Sequence, residues 1–219
     1  MAKTYRVNKI FYSLQGEGFH SGTPAVFVRF SGCNLACPFC DTDFTSFTEM
    51  TAKEIAWQVQ DYNDEQLFHG APWVSRNALP VIIVLTGGEP AMQVDTELLT
   101  AIRDENYNTH IHIETNGTLP LPEGIDWITC SPKEGSKVVL EKADEVKVVF
   151  TERKMRRIDA VNRWLNAEKK VEPWCRSIYA KHYFLQPCSC ANTEMVANYI
   201  LAHPWWRLSL QTHKYLGIR

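Results

Sequence analysis

Cys33, Cys37 and Cys40 lie within eight residues of one another, in a Cys33-x3-Cys37-x2-Cys40 pattern. One short loop therefore presents three thiolates. A structural zinc takes four ligands in a closed tetrahedron, usually from paired CxxC units or added histidines. Electron-transfer iron–sulfur proteins also normally give four cysteines to a cubane cluster. Three cysteines leave one iron without a protein ligand, an arrangement useful only where another molecule binds there. Asn34, Ala36 and Pro38 suit a tight irregular loop, and Phe39 can shield a cluster. The other four of the seven cysteines, Cys130, Cys175, Cys188 and Cys190, are scattered and read as structural thiols. They would form an auxiliary cluster only by converging.

Further polar residues follow apolar runs. Residues 81–85 run into Thr86-Gly-Gly-Glu-Pro90, 110–114 into Thr115-Asn-Gly117, and 127–130 into Ser131-Pro-Lys133. Residues 183–185 lead to Gln186-Pro187, and 208–210 to Gln211-Thr-His213. The runs are short, β-branched or alternating, as strands are. Residues 25–30 (AVFVRF) form a further strand, with Ala25, Phe27 and Arg29 on one face. Others are expected at 146–150 and 207–210. Thr51 and Glu54 spell a capping box, Asp95 can cap a second helix, and helices are expected at 156–167 and 193–202.

About six parallel strands with crossover helices make an α/β fold in a single domain. A complete eight-fold barrel takes about 250 residues, so 219 predict an incomplete TIM-type barrel with outer helices. In such a fold, chemistry gathers where strands end. Five polar strand ends on one rim are the pattern of an active site.

Composition narrows the class further. A net charge of −2 offers no field for gripping nucleic acid. The longest apolar run, 81–85, is far short of the roughly 20 residues of a membrane span. The first six residues lack a signal peptide's apolar stretch, so the cytoplasm is the expected compartment.

CxxxCxxC with an aromatic before its last cysteine resembles the cluster loop of radical S-adenosylmethionine (SAM) enzymes. Thr86-Gly-Gly-Glu89-Pro90 resembles that family's GGEP segment. Leu14-Gln-Gly-Glu-Gly18, Cys40-Asp-Thr42, Glu114-Thr-Asn-Gly117, Ser131-Pro-Lys133 and Gln211-Thr-His-Lys-Tyr-Leu216 together resemble the 7-carboxy-7-deazaguanine synthase family, from Lys9 to the C-terminus. The resemblance implies one 4Fe-4S cluster on Cys33, Cys37 and Cys40, its open iron chelated by SAM. It also implies a 5′-deoxyadenosyl radical that takes hydrogen from C6 of 6-carboxy-5,6,7,8-tetrahydropterin. Ring contraction and loss of ammonia would follow, with SAM regenerated, in queuosine or other 7-deazapurine biosynthesis.

Catalysis would rest on the cluster and SAM alone. Around SAM the resemblance places Phe39, Asp41, Gly87, Gly88, Glu89, Glu114, Ser131, Pro132, Lys133, Gln186, Pro187, Cys188 and Ser189. In the family's GGEP segment, backbone and glutamate hold the SAM ammonium. Around the pterin it places Leu14, Gln15, Gly16, Glu17, Arg29, Thr86, His213 and the carboxylate of Arg219, with residues 211–219 closing the pocket. Thr42 would bind Mg²⁺, which takes few protein oxygens and keeps its waters. Arg29 can grip the substrate carboxylate through two parallel hydrogen bonds. Glu17 or main-chain carbonyls of residues 14–16 can accept from the pyrimidinone N–H edge. An external donor of flavodoxin or ferredoxin type and a homodimer complete the expectations.

Blander readings stand beside these. Residues 15–18 alone would be a glycine-rich hairpin loop, Asp41-Thr42-Asp43 an ordinary turn, and Arg29 a surface ion pair. His110, His112 and Glu114 share a strand face with metal-binding spacing, although packing in a barrel lumen serves equally. Other functions open to the chain are a glycyl-radical activase, and an iron–sulfur carrier or zinc module without chemistry of its own. Activases need a groove for a peptide loop. Three ligands and the polar rim argue against a carrier.

Overall fold

Residues 24–30 turn sequence alternation into two working faces. On β2 (Pro24–Phe30), Val26, Val28 and Phe30 are fully buried against helices, while Ala25, Phe27 and Arg29 face inward. The same division repeats along the sheet, because a strand's side chains alternate with period two. The computed structural model describes residues 2–40, 42–43, 45–70, 81–150 and 178–218. The expected helix at 156–167, together with Asp41, Cys175 and Arg219, lies outside the described residues.

Among the described residues the sheet has nine strands: β1 (Thr4–Leu14), β2, β3 (Thr48–Thr51), β4 (Val81–Gly87), β5 (Thr109–Thr115), β6 (Trp127–Cys130), β7 (Lys142–Phe150), β8 (Tyr179–Pro187) and β9 (Arg207–Leu208). Their order is β3-β1-β2-β4-β5-β6-β7-β8-β9, an open sheet with β3 and β9 at its edges. From β2 to β9, neighbours run parallel. That makes seven parallel strands where about six were expected, and β9 is shorter than the 207–210 run suggested.

The larger departure is β1, an 11-residue strand antiparallel to both β2 and β3, which sequence reading left unassigned. A register shift between Val7 and Lys9 explains the omission. Before it Tyr5 and Val7 face the helices; after it Ile10 does, while Phe11 turns inward. The extra residue of a bulge breaks the alternation on which strand recognition depends. β1 and β2 thus form a hairpin whose loop is residues 15–23, tied by Gln15 N donating to Thr23 O (2.8 Å) and Gly22 N to Gln15 O (2.7 Å).

The helices α1 (Ala52–Gly70), α2 (Thr96–Glu105) and α3 (Thr193–Ala202) cover the outer face, and α4 (Thr212–Leu216) lies in the tail. The capping box on α1 is reciprocal: Glu54 N donates to Thr51 Oγ1 (3.3 Å), and Thr51 N to Glu54 Oε2 (2.7 Å). Asp95 caps α2 through Leu98 N (3.0 Å) and accepts from the Tyr5 hydroxyl (2.8 Å), fastening the helix to β1. Ile55, Val59, Leu98 and Ile102 then meet Val26, Ile83, Leu85, Ile111 and Ile113 in one core. A second core joins Val146, Val148, Phe150 and Leu185 to Val196 of α3.

Along the inner face, layers differ in character. Phe11, Ala25, Phe27, Ile82 and Val84 form an apolar plug. Beside it, Phe19, His20, His112, Trp127 and His182 pack ring against ring, stacked, tilted or edge-on, with centroids 4.4–6.0 Å apart. Above this floor the strand ends turn polar. Among the described residues, no helix is long and apolar enough to cross a membrane.

Candidate active site

The C-terminal ends of the parallel strands enclose two adjoining cavities. One, of about 280 Å³, is lined by Cys33, Cys37 and Cys40 on one side. Its wall also includes Gly87, Gly88, Glu114, Ser131, Lys133, Lys147, Gln186, Pro187 and Cys188, with Phe39 and Thr42. The other, of about 180 Å³, is lined by Leu14, Gln15, Gly16, Arg29, His213 and Lys214, with Phe11 and Phe27. Glu17, Thr42, Thr86, Glu114 and Gln211 belong to both walls and so form the boundary between them.

Glycine makes the cysteine side possible. A Cβ on Gly87 would stand 2.2 Å from Phe30 O, and one on Gly88 2.0 Å from Gly32 O. Without side chains there, the end of β4 presses onto the start of the cysteine loop. Gly88 N donates to Phe30 O (3.1 Å) and Glu89 N to Gly32 O (2.9 Å). Asn116 Nδ2 donates to Asn34 Oδ1 (3.0 Å), and Asn34 Nδ2 to Thr118 Oγ1 (2.8 Å), so the turn after β5 holds the loop's other side.

Partial burial, and then the neighbouring Glu89, Cys37 and Cys40, push the Cys33 thiol up. No trio of His, Cys, Asp or Glu among the described residues converges tightly enough for a single metal ion. A cubane binds each cysteine to a different iron, so three cysteines that share one cavity without converging on a single ion suit a cluster better than a zinc. His110, His112 and Glu114 do not form such a trio among the described residues, and His110 is exposed. Among the described residues, Cys130 is buried beneath the sheet's outer face and Cys188 lines the cavity, with no ion site between them.

Glu89 lies behind the cavity wall. Its side chain is fully buried and does not line the cavity. The carboxylate accepts from Thr115 Oγ1 (2.7 Å), Asn116 N (2.7 Å) and Ala91 N (3.0 Å). It locks the end of β4 to the turn after β5, while burial pushes its carboxyl up. Gly87 and Gly88 are the parts of this segment that face the cavity. Pro132 likewise does not line it, and the side chain of Ser189 lies outside the described residues.

Lys133 donates to Ser131 Oγ (2.7 Å), and burial, followed by Lys147, pulls its ammonium down. Gln186 accepts from Ser209 (3.0 Å), which in turn accepts from Gly18 N (2.9 Å).

The hairpin loop reaches this rim because β7 and the tail seize it. Phe19 N donates to Glu145 (2.8 Å) and Glu17 pairs with Lys147. Gly16 O accepts from Thr212 N (2.9 Å) and its hydroxyl (3.0 Å), and a Cβ on Gly16 would stand 2.1 Å from the His213 ring. Residues 15–18 are therefore the hairpin loop of the bland reading, and Gln15, Gly16 and Glu17 within it are also a wall of the second cavity.

Arg29 stacks over Phe11, its guanidinium carbon 5.3 Å from the ring centroid, and its buried Nε has no hydrogen-bond partner. A buried unpartnered guanidinium nitrogen is costly unless a ligand completes it. An anion at this wall would do so.

Sequence reasoning missed Lys147 and Glu145, which lie on the inner face of β7. Both are buried, and helix-facing Val146, Val148 and Phe150 alternate with them. That alternation was the available signal: charges at every second place of an apolar strand must face a polar interior. Gln211 was read as part of a motif but given no role. It donates to Glu17 Oε1 (2.9 Å) and accepts from Lys214 (2.9 Å). Burial opposes the charge on Lys147, but Glu114, Glu17 and Glu145 outweigh it and hold the ammonium above its ordinary range. For Glu17, burial works upward and is overcome by Lys147, which holds the carboxyl down.

Comparison with known proteins agrees in kind with this geometry. Residues 27–171 match the radical SAM superfamily. The chain is 45% identical over 218 residues to 7-carboxy-7-deazaguanine synthase of Bacteroides thetaiotaomicron, covering 98% of each chain. It is 40% identical over 229 residues to the protein of the same name from Bordetella pertussis, covering 98% of this chain and 99% of that one. A crystal structure of QueE from Escherichia coli superimposes with a TM-score of 0.67 at 26% identity, over 96% of this chain and 95% of that one.

Proposed function

Since the chain belongs to the 7-carboxy-7-deazaguanine synthase family of the radical SAM superfamily, we propose that it converts 6-carboxy-5,6,7,8-tetrahydropterin to 7-carboxy-7-deazaguanine with loss of ammonia, a step towards queuosine or another 7-deazapurine. The observation that carries the reading is the pair of cavities with a common wall. A radical formed in one must meet a substrate atom held in the other.

Cys33, Cys37 and Cys40 would hold a 4Fe-4S cluster; with SAM bound and one electron from an external flavodoxin- or ferredoxin-type donor, it supplies the 5′-deoxyadenosyl radical that abstracts hydrogen from C6. The protein's own work is placement. Gly87 and Gly88 expose main-chain groups to the amino-acid end of SAM, and Ser131 and Lys133 stand where its carboxylate or ribose can be bonded. Gln186, Pro187 and Cys188 form the wall on the adenine side, with Phe39 excluding water near the cluster.

Across the boundary, Arg29 takes the substrate carboxylate, and Gln15, Glu17 and His213 hold the ring. Thr42, in both walls, is the proposed Mg²⁺ ligand. Fixing both reactants in one geometry replaces a bimolecular encounter by a unimolecular one, which is the chief catalytic resource of such a site. Residence in the cytoplasm and a homodimer accompany this reading.

Anaerobic reconstitution with iron, sulfide, SAM, Mg²⁺, a reductant and the carboxytetrahydropterin tests it. Deazapurine product is expected, with SAM recovered. Deoxyadenosine formed only by uncoupled cleavage, without deazapurine, would overturn the assignment.

A further inference from the structure

Lys147 lies on the inner face of β7, buried, with its ammonium bonded to Glu17 and 3.6 Å from Glu114 Oε1. These carboxylates come from distant parts of the fold, Glu17 from the β1–β2 loop and Glu114 from β5. Both line both cavities, whereas Lys147 lines only the cysteine-side one. Other partners aim the carboxylates. Glu17 accepts from Gln211 through its second oxygen (2.9 Å). Glu114 accepts from Gln15 (3.2 Å) and Thr86 (3.0 Å). An ionised carboxylate offers about four acceptor sites, so both retain capacity for a ligand.

We propose that Lys147 is a positioning residue for the substrate: clamped between Glu17 and Glu114 in the common wall, it holds the two carboxylates as acceptors aimed at the N–H edge of the pyrimidinone ring. The proposal rests on the pterin reading above. A ring edge with adjacent N–H donors binds best to a carboxylate that accepts two parallel bonds, and only the ionised form has both oxygens free to accept. Two carboxylates in a desolvated wall would repel each other, and one would take up a proton. An ammonium between them removes that tendency. Glu145 does not compete for the role, because Thr129 (2.9 Å) and Phe19 N (2.8 Å) occupy its oxygens. Among the described residues, the titratable groups around the trio are Glu145, Lys133 and His213.

The test is equilibrium titration of the cluster-loaded protein with 7-carboxy-7-deazaguanine and with the carboxytetrahydropterin, between pH 6 and 9, without reductant. Lys147→Met should weaken binding on the order of 30-fold near pH 7. Binding should recover as pH rises, because a carboxylate stripped of its ammonium ionises only at higher pH. Lys147→Arg should keep pH-independent binding, and Glu17→Gln should lose affinity equally at all pH values.

A purely structural role for Lys147 would give a loss that does not vary with pH, and that result overturns the proposal while leaving the pterin reading intact. Should Lys147→Met fail to fold, as thermal melting and cluster absorbance would reveal, Glu17→Gln and Lys147→Arg still decide. Wild-type affinity in Glu17→Gln, or pH-dependent binding in Lys147→Arg, refutes it. Wild-type protein that binds neither compound overturns the pterin reading and this proposal together.

Discussion

At the scale of single residues, the site is a set of buried polar groups whose incompleteness is informative. Arg29 is the sharpest case, since its Nε is buried without a partner beside the Phe11 ring. Arg29→Gln should raise the KM for substrate by about 10- to 100-fold, corresponding to a charged hydrogen bond of roughly 1.5–3 kcal/mol. Arg29→Lys should recover only part of this, because an ammonium cannot make two parallel bonds to a carboxylate. Steady-state kinetics under anaerobic conditions measures both, and an unchanged KM in Arg29→Gln removes Arg29 from the substrate site. For Cys33→Ala the expected result is loss of cluster and turnover. Four irons per chain in the wild type, with full activity in that variant, would dismiss the cysteine loop as the cluster ligand.

Among elements, the meeting of β4 with β2 organises everything on the cysteine side. The loop owes its position to two backbone bonds that form only because Gly87 and Gly88 lack side chains. Gly88→Ala would set a methyl 2.0 Å from Gly32 O, which neither backbone can accommodate without moving. The variant is expected to lose roughly 1–3 kcal/mol of stability, as over-packing typically does, and to bind less iron. Iron analysis and chemical denaturation check the two effects separately; normal iron content would show that the loop does not depend on this contact. β7 plays the corresponding part on the other side. Its outward residues Val146, Val148 and Phe150 anchor it in the core, which lets Glu145 and Lys147 be held rigidly inward.

Considered whole, the molecule separates a polar rim from an aromatic floor, and that separation has a pH signature. Burial, then His20 and His110, hold His112 down to about 4. An unfolded histidine titrates near 6.5, so unfolding takes up a proton as the solution acidifies. The neutral ring's contribution is intact above about pH 6.5 and is lost as pH falls towards 4. Between pH 7.5 and 5 the loss is on the order of 2 kcal/mol. His112→Gln should flatten this part of the stability curve, measured by urea unfolding at several pH values. Identical slopes in variant and wild type would show that other groups govern acid sensitivity.

Read alone, the residues determined the chemistry and most of the frame. The cysteine spacing, the five polar strand ends, Asp95 and the Thr51–Glu54 box all stand where sequence reading put them, because each is a local pattern with a local cause. What escaped had non-local causes. The bulge in β1 shifts its alternation, two of the three donors to the Glu89 carboxylate come from Thr115 and Asn116 at the end of β5, and Lys147 meets carboxylates 130 and 33 positions away. Tertiary structure alone decided which polar groups share a wall, since closeness in space between distant segments is created by packing the sheet and is not encoded in any short stretch of chain.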